Sequence, residues 1–105
     1  MRNMESVAFP YGALRPSDHC DNLVFASTAN KDYAVPEHCA FMVFSSNVDF
    51  WARFTSTAAA VIPSSDNIAG SGVVLNPTIR YVRGMSYVPI IVGSAGIVTV
   101  EVYRV

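Results

Sequence analysis

The last ten residues of the chain, GIVTVEVYRV (96–105), alternate without a break. Val98, Val100 and Val102 fall on one face, and Thr99, Glu101 and Tyr103 on the other. A period of two over this length marks a β-strand with one buried side. It predicts that this segment is the best-formed strand of the protein. One strand is not a fold: it needs paired neighbours and an apolar layer over its valines. The rest of the chain must therefore supply further strands.

It does so in short runs. AFMVF (40–44) is continuously apolar, and VDFWARF (48–54) sets Val48, Phe50, Ala52 and Phe54 on one face against Asp49, Trp51 and Arg53 on the other. TIRYVR (78–83) and SYVPIIV (86–92) are the next candidates. Pro89 has no N–H for a ladder, so its strand is expected at an edge or bulged at that point. SSN (45–47) reads as a hairpin turn, and RG (83–84) and GSAG (93–96) separate the later runs. FTSTAAAV (54–61) has helix-favouring alanines but is short and lies between strand signals. It reads as a strand end or an irregular segment. Many short strands with Gly and Pro turns predict an all-β, single-domain β-sandwich of jelly-roll type over residues 17–105. Residues 1–16 show no strand period and carry Pro10, Gly12 and Pro16, so they are expected to form an extended N-terminal arm.

Composition bears on what surrounds such a sandwich. With 105 residues the chain can bury a real core as one domain. Only 14% of it is charged against 51% hydrophobic, where a soluble domain usually carries about 25% charged residues. Too few charges remain for a fully solvated skin, so self-association as a dimer or trimer is expected. The net charge is −1, and the six arginines from Arg2 to Arg104 do not cluster. Nucleic acid is therefore not an expected partner. No run approaches the ~20 apolar residues of a membrane helix, nor the core of a signal peptide, so no membrane partner is expected. The chain reads as made in a reducing cytosol.

Both histidines and both cysteines sit in two dipeptides, SDHC (17–20) and PEHC (36–39). Two imidazoles and two thiols are the ligand count of a structural zinc site. Adjacent residues on a strand point to opposite faces, however, and zinc ligands converge from spacings of two to four. No metal and no cofactor is therefore expected. A Cys20–Cys39 disulfide is disfavoured by the compartment. A Cys-His nucleophile would need Cys20 near His38, or Cys39 near His19, oriented by Asp18, Asp21 or Glu37. No strained turn or glycine-rich oxyanion pattern accompanies them, so the chain is not expected to be an enzyme. SDHCDNLVFAST aligns with PEHCAFMVFSSN at His, Cys, Val, Phe and Ser. That suggests two similar strand openings facing each other in the sandwich, or chance, with the cysteines as small buried residues.

VIPSSDNIAGSGVVLNPTIR (61–80) is the most distinctive stretch. Pro63 is expected to end a strand, and Asp66 to cap the loop through an Asx turn. Asn76, before Pro77, is expected to be extended. Asp66, Asn76 and Arg80 are the candidates to clamp this connection, Arg80 by bonding the loop carbonyls or Asp66; the other reading of Arg80 is a solvent-facing arginine.

The order of DFWARF, AVIPSSDNIAGSG, LNPTIRYV and a closing GIVTVEVYRV resembles a group of small proteins encoded near head-structure genes in tailed bacteriophages. The resemblance spans about residues 35–105, and its most specific parts are P-x-x-D (63–66), L-N-P-x-x-R (75–80) and the terminal strand. It implies a virion structural protein, made in the host cytoplasm, of the jelly-roll cement or decoration type that binds the major capsid protein as an oligomer. Trp51 is then a candidate interface residue. So are Val7, Phe9, Tyr11 and Leu14, if the arm lies along a neighbour as strand-addition peptides do. The alternative is a carbohydrate- or receptor-binding sandwich of a phage tail or head fibre, presenting Trp51 with Tyr33 or Tyr87 as a stacking platform.

Overall fold

The computed structural model of the chain describes residues 15–104. Eight strands follow one another: β1 (His19–Phe25), β2 (Asn30–Ala34), β3 (Cys39–Ser46), β4 (Phe50–Ala52), β5 (Val74–Leu75), β6 (Ile79–Tyr81), β7 (Tyr87–Val92) and β8 (Gly96–Arg104). They form two four-stranded sheets, ordered β1-β8-β3-β6 and β2-β7-β4-β5. All pairs are antiparallel, and β1 pairs with β8, β2 with β7, β3 with β6, and β4 with β5. The chain is in effect one long ribbon doubled back at the β4–β5 connection and then rolled, so that successive pairs fall alternately in the two sheets. That is the jelly-roll form of the β-sandwich.

The core lies between the sheets. Val98, Val100 and Val102 of β8 are fully buried there, with Met42 and Phe44 of β3, Phe50 and Ala52 of β4, and Val88, Ile90 and Val92 of β7. Fully burying a side chain of this size stabilises by about 1.5–3 kcal/mol, and β8, the longest strand at nine residues and flanked on both edges, is the well-formed strand that the alternation predicts. Val48 and Phe54 pack on the same core from either side of β4.

Several local expectations are corrected. SSN does not close a hairpin: β3 and β4 belong to different sheets, because β3 already has β8 on one edge and β6 on the other. The connection is a corner crossing the sandwich. No strand ends at Pro63, since residues 53–73 are irregular throughout. Pro89 lies neither on an edge strand nor at a bulge; β7 runs between β2 and β4 in continuous register. Its missing N–H falls where β4 has stopped. Ala52 is the last residue of β4 to pair, and beyond it the Arg53 N–H donates to the Pro89 carbonyl at 3.0 Å. Only the return bond of that exchange is lost. The two His-Cys strands do not face each other across the sandwich but lie in one sheet, on either side of β8. Their likeness reflects a shared alternation: Leu23 and Phe25 in β1, like Met42 and Phe44 in β3, turn inward. The cysteines differ because a bulge between Cys39 and Phe41 turns Cys39 into the core, whereas Cys20 is exposed.

Candidate interaction site

Among the described residues, the outer face of each sheet carries apolar side chains. On β2-β7-β4-β5 the outward positions are those adjacent to the core residues. Ile91 of β7 stands opposite Trp51 of β4, and Trp51 opposite Leu75 of β5. The three form a row across the sheet, with Ile91 and Trp51 half-buried and Leu75 51% exposed. Trp51 lies close against Gly93, where an added Cβ would sit 3.5 Å from the indole edge. The row is therefore carried on paired backbone rather than on a loop.

The β4–β5 end of this sheet is fixed by Asn76. Its backbone N–H donates to the Phe50 carbonyl at 2.8 Å, and its side-chain Oδ1 accepts from the Phe50 N–H at 3.0 Å. Its Nδ2 donates to Asp49 Oδ1 at 3.0 Å. Asn76 is not extended as expected before a proline: its φ is +48°, a left-handed conformation that asparagine tolerates better than most residues. Asn76 thus ties the β4–β5 connection by a geometry its neighbour Pro77 does not suggest.

The clamp expected of Arg80 is supplied by Arg53. Arg80 stacks over the Phe54 ring at 5.6 Å and donates to the Ile79 carbonyl at 2.9 Å. Arg53, which the alternation assigns to the outer face, is 9% exposed, and its guanidinium donates to the Ser71 carbonyl and, at 3.2 Å, to the Ala59 carbonyl. It gathers both arms of the long β4–β5 loop. The strand ends at Ala52, so face alternation no longer governs the next residue. No local signal marks Arg53 as the clamp. Asp66 lies exposed in the loop, and the side chain that closes the turn is Ser71, whose hydroxyl donates to the Ile68 carbonyl at 2.9 Å.

On the outside of β1-β8-β3-β6, Phe41 and Tyr103 stack in parallel at 4.8 Å, and Tyr81 meets Phe41 edge-on at 5.9 Å. Phe41 and Tyr103 are buried in a cluster separate from the main core, with Ala40 and half-buried Val43. Tyr81 is 79% exposed and Ile79 48%. The aromatic character of Tyr81 and Tyr103 at outward strand positions was the available signal for this patch. Val7, Phe9, Tyr11 and Leu14 lie outside the described residues.

The His-Cys dipeptides are not brought together as a nucleophile pair. Cys20 sits opposite Glu101 and Cys39 opposite Arg104, on strands separated by β8. Burial pushes the Cys39 thiol up from its ordinary value, which lowers its thiolate fraction. His19 Nε2 lies 2.8 Å from Asp21 Oδ2, and the Tyr33 hydroxyl donates to that same oxygen at 2.5 Å, joining the two sheets at their β1/β2 edge. His38 is exposed at φ +63°, 3.5 Å from Glu37. Among the described residues no three acidic, His or Cys side chains gather around a common point. Tyr33 is 7% exposed and faces the core, so it cannot share a stacking platform with Trp51. Tyr87, 45% exposed, is on the Trp51 face, four residues along β7 from Ile91, or about 13 Å. No family model, curated protein or solved structure matches the chain.

Proposed function

We propose that the protein is a bacteriophage virion structural component, a capsid cement or decoration protein that associates as a dimer or trimer and bridges neighbouring capsomers. The observation that carries this reading is the Ile91–Trp51–Leu75 row, an apolar strip held rigidly on the outer face of a jelly-roll sheet in a chain with only 14% charged residues. The mechanism is adhesive. A specific interface of standard size buries about 1,600 Å² in total, and repetition over many equivalent lattice positions adds avidity to each contact. The test is co-sedimentation with empty capsids of the phage that encodes the chain. Bound protein should pellet with the shells and raise their melting temperature; protein that stays in the supernatant and leaves the shells unchanged overturns the reading.

A second reading, a carbohydrate-binding module, is favoured by Trp51 alone, since a half-exposed indole on a rigid sheet is the surface that stacks on a sugar ring. Quenching of Trp51 fluorescence by glycans, with no effect on capsids, would select it.

A further inference from the structure

The outer face of β1-β8-β3-β6 is divided. Asn22, Thr99 and Ser45 make a polar band across it, with the exposed apolar pair Val24 and Ile97 beyond that band. On the other side of the band come a mixed rung of Glu101, Val43 and Ile79 and then, at the Arg104 end, the aromatic rung of Tyr103, Phe41 and Tyr81. An antiparallel sheet with one face on a core normally shows polar residues on the other, so this end has the composition of a covered face.

The chain reaches the sheet at that same end. The Tyr103 hydroxyl donates to the Arg15 carbonyl at 2.8 Å. The Arg15 guanidinium donates to the Arg104 carbonyl at 3.0 Å and lies 5.3 Å from the centre of the Tyr103 ring. Asp18 holds it there through two bonds of 3.1 and 3.0 Å, and its Oδ2 also accepts from the Arg104 N–H at 2.7 Å. Backbone, ring and ion pair together fix where residue 14 joins. Tyr81 is two strands away from Tyr103, or about 10 Å. Residues 7–14 alone can span about 26 Å when extended. They carry Val7, Phe9, Tyr11 and Leu14 and no charged side chain.

We infer that residues 7–14 dock in cis on this face, crossing Phe41 toward Tyr81 and Ile79 of their own chain. A tethered segment meets the patch at an effective concentration in the millimolar range, which favours it over the same segment of another copy. The outer face of the other sheet, with Trp51, is then the one left for partners. The inference stands apart from the capsid reading, since it concerns only the chain's contact with itself.

The test is paramagnetic relaxation in the full-length chain. A nitroxide is placed on Ala8→Cys in a Cys20→Ser background, leaving the apolar side chains of the segment in place; the buried Cys39 is retained. In ¹⁵N-labelled, spin-labelled protein the amides of Phe41, Ile79 and Tyr81 should lose most of their intensity, and the added substitution Tyr81→Glu should restore it. Spin-labelled chains without ¹⁵N, mixed with ¹⁵N chains without the label, should leave those amides unchanged. Broadening in the mixed sample would assign the face to a neighbour's arm. No broadening in either sample would mean that the arm does not dock there. Either result overturns the inference.

Discussion

Asn76 bonds both polar groups of one residue: its own N–H donates to the Phe50 carbonyl, and its side-chain oxygen accepts from the Phe50 N–H, at 2.8 and 3.0 Å. The side chain thereby extends the β4–β5 ladder one step past Leu75. Asn76→Gly keeps the left-handed backbone accessible and loses only the side-chain bonds, so it should cost about 1–2 kcal/mol. Asn76→Ala loses the bonds and also strains φ, adding about 1 kcal/mol. Urea midpoints should fall in the order Asn76, Gly, Ala. Equal midpoints for Gly and Ala would show that the backbone conformation contributes nothing.

Arg53 holds both arms of the long loop with one guanidinium, bonded to carbonyls of Ala59 and Ser71. A lysine reaches one of these points but not both, because it lacks the planar fork. Arg53→Lys should lower stability by about 1–2 kcal/mol and speed thermolysin cleavage within residues 55–73 well beyond that loss. Unchanged cleavage would mean that the loop holds its shape without the clamp.

The Tyr33–Asp21 bond gives the sandwich a pH window. The Tyr33 hydroxyl, with His19 second to it, holds the Asp21 carboxyl below its usual range against partial burial. Desolvation, and then the same bond, push the Tyr33 hydroxyl above its usual range. A depressed carboxyl contributes stability above its unfolded value, about pH 4, and loses it as pH falls through the folded value. A raised phenol contributes below its unfolded value, about pH 10, and loses it as pH rises further. Tyr33→Phe should therefore cost about 1 kcal/mol at pH 7, discounted for the open side of Asp21. The gap to the parent should close toward about pH 3 and again above about pH 10. Urea titrations at three pH values read this directly; a gap independent of pH would remove the linkage.

The alternation of β8 and the inward set Val48, Phe50, Ala52 and Phe54 were legible because a strand's own period records which face is buried. Which sheet a strand joins is not recorded there. The period across SSN is the same whether β4 returns beside β3 or crosses to the opposite sheet, and only the occupied edges of β3 decide. β2 was not visible because Tyr33 is its one buried residue, and β5 because two residues carry no period. Of the candidate site, Trp51 and Asn76 could be singled out by type and position. Arg53 could not, since its partners Ala59 and Ser71 are carbonyls, which any residue supplies.

Leu75 separates packing from association. It closes the Ile91–Trp51–Leu75 row at the β5 edge and is 51% exposed, so its side chain contributes little to the core. Leu75→Arg should change stability by no more than about 0.5 kcal/mol. If the row meets another chain, the same change puts a charge into an apolar contact, where desolvation without a partner costs several kcal/mol. Sedimentation equilibrium at tens of micromolar should then show the parent as a dimer or trimer and Leu75→Arg as a monomer, with capsid co-sedimentation reduced in parallel. Ile68→Arg, at a loop position 76% exposed and not part of the row, is the control and should change neither. A parent that is itself monomeric, or a Leu75→Arg variant that associates as the parent does, would remove the row from any interface.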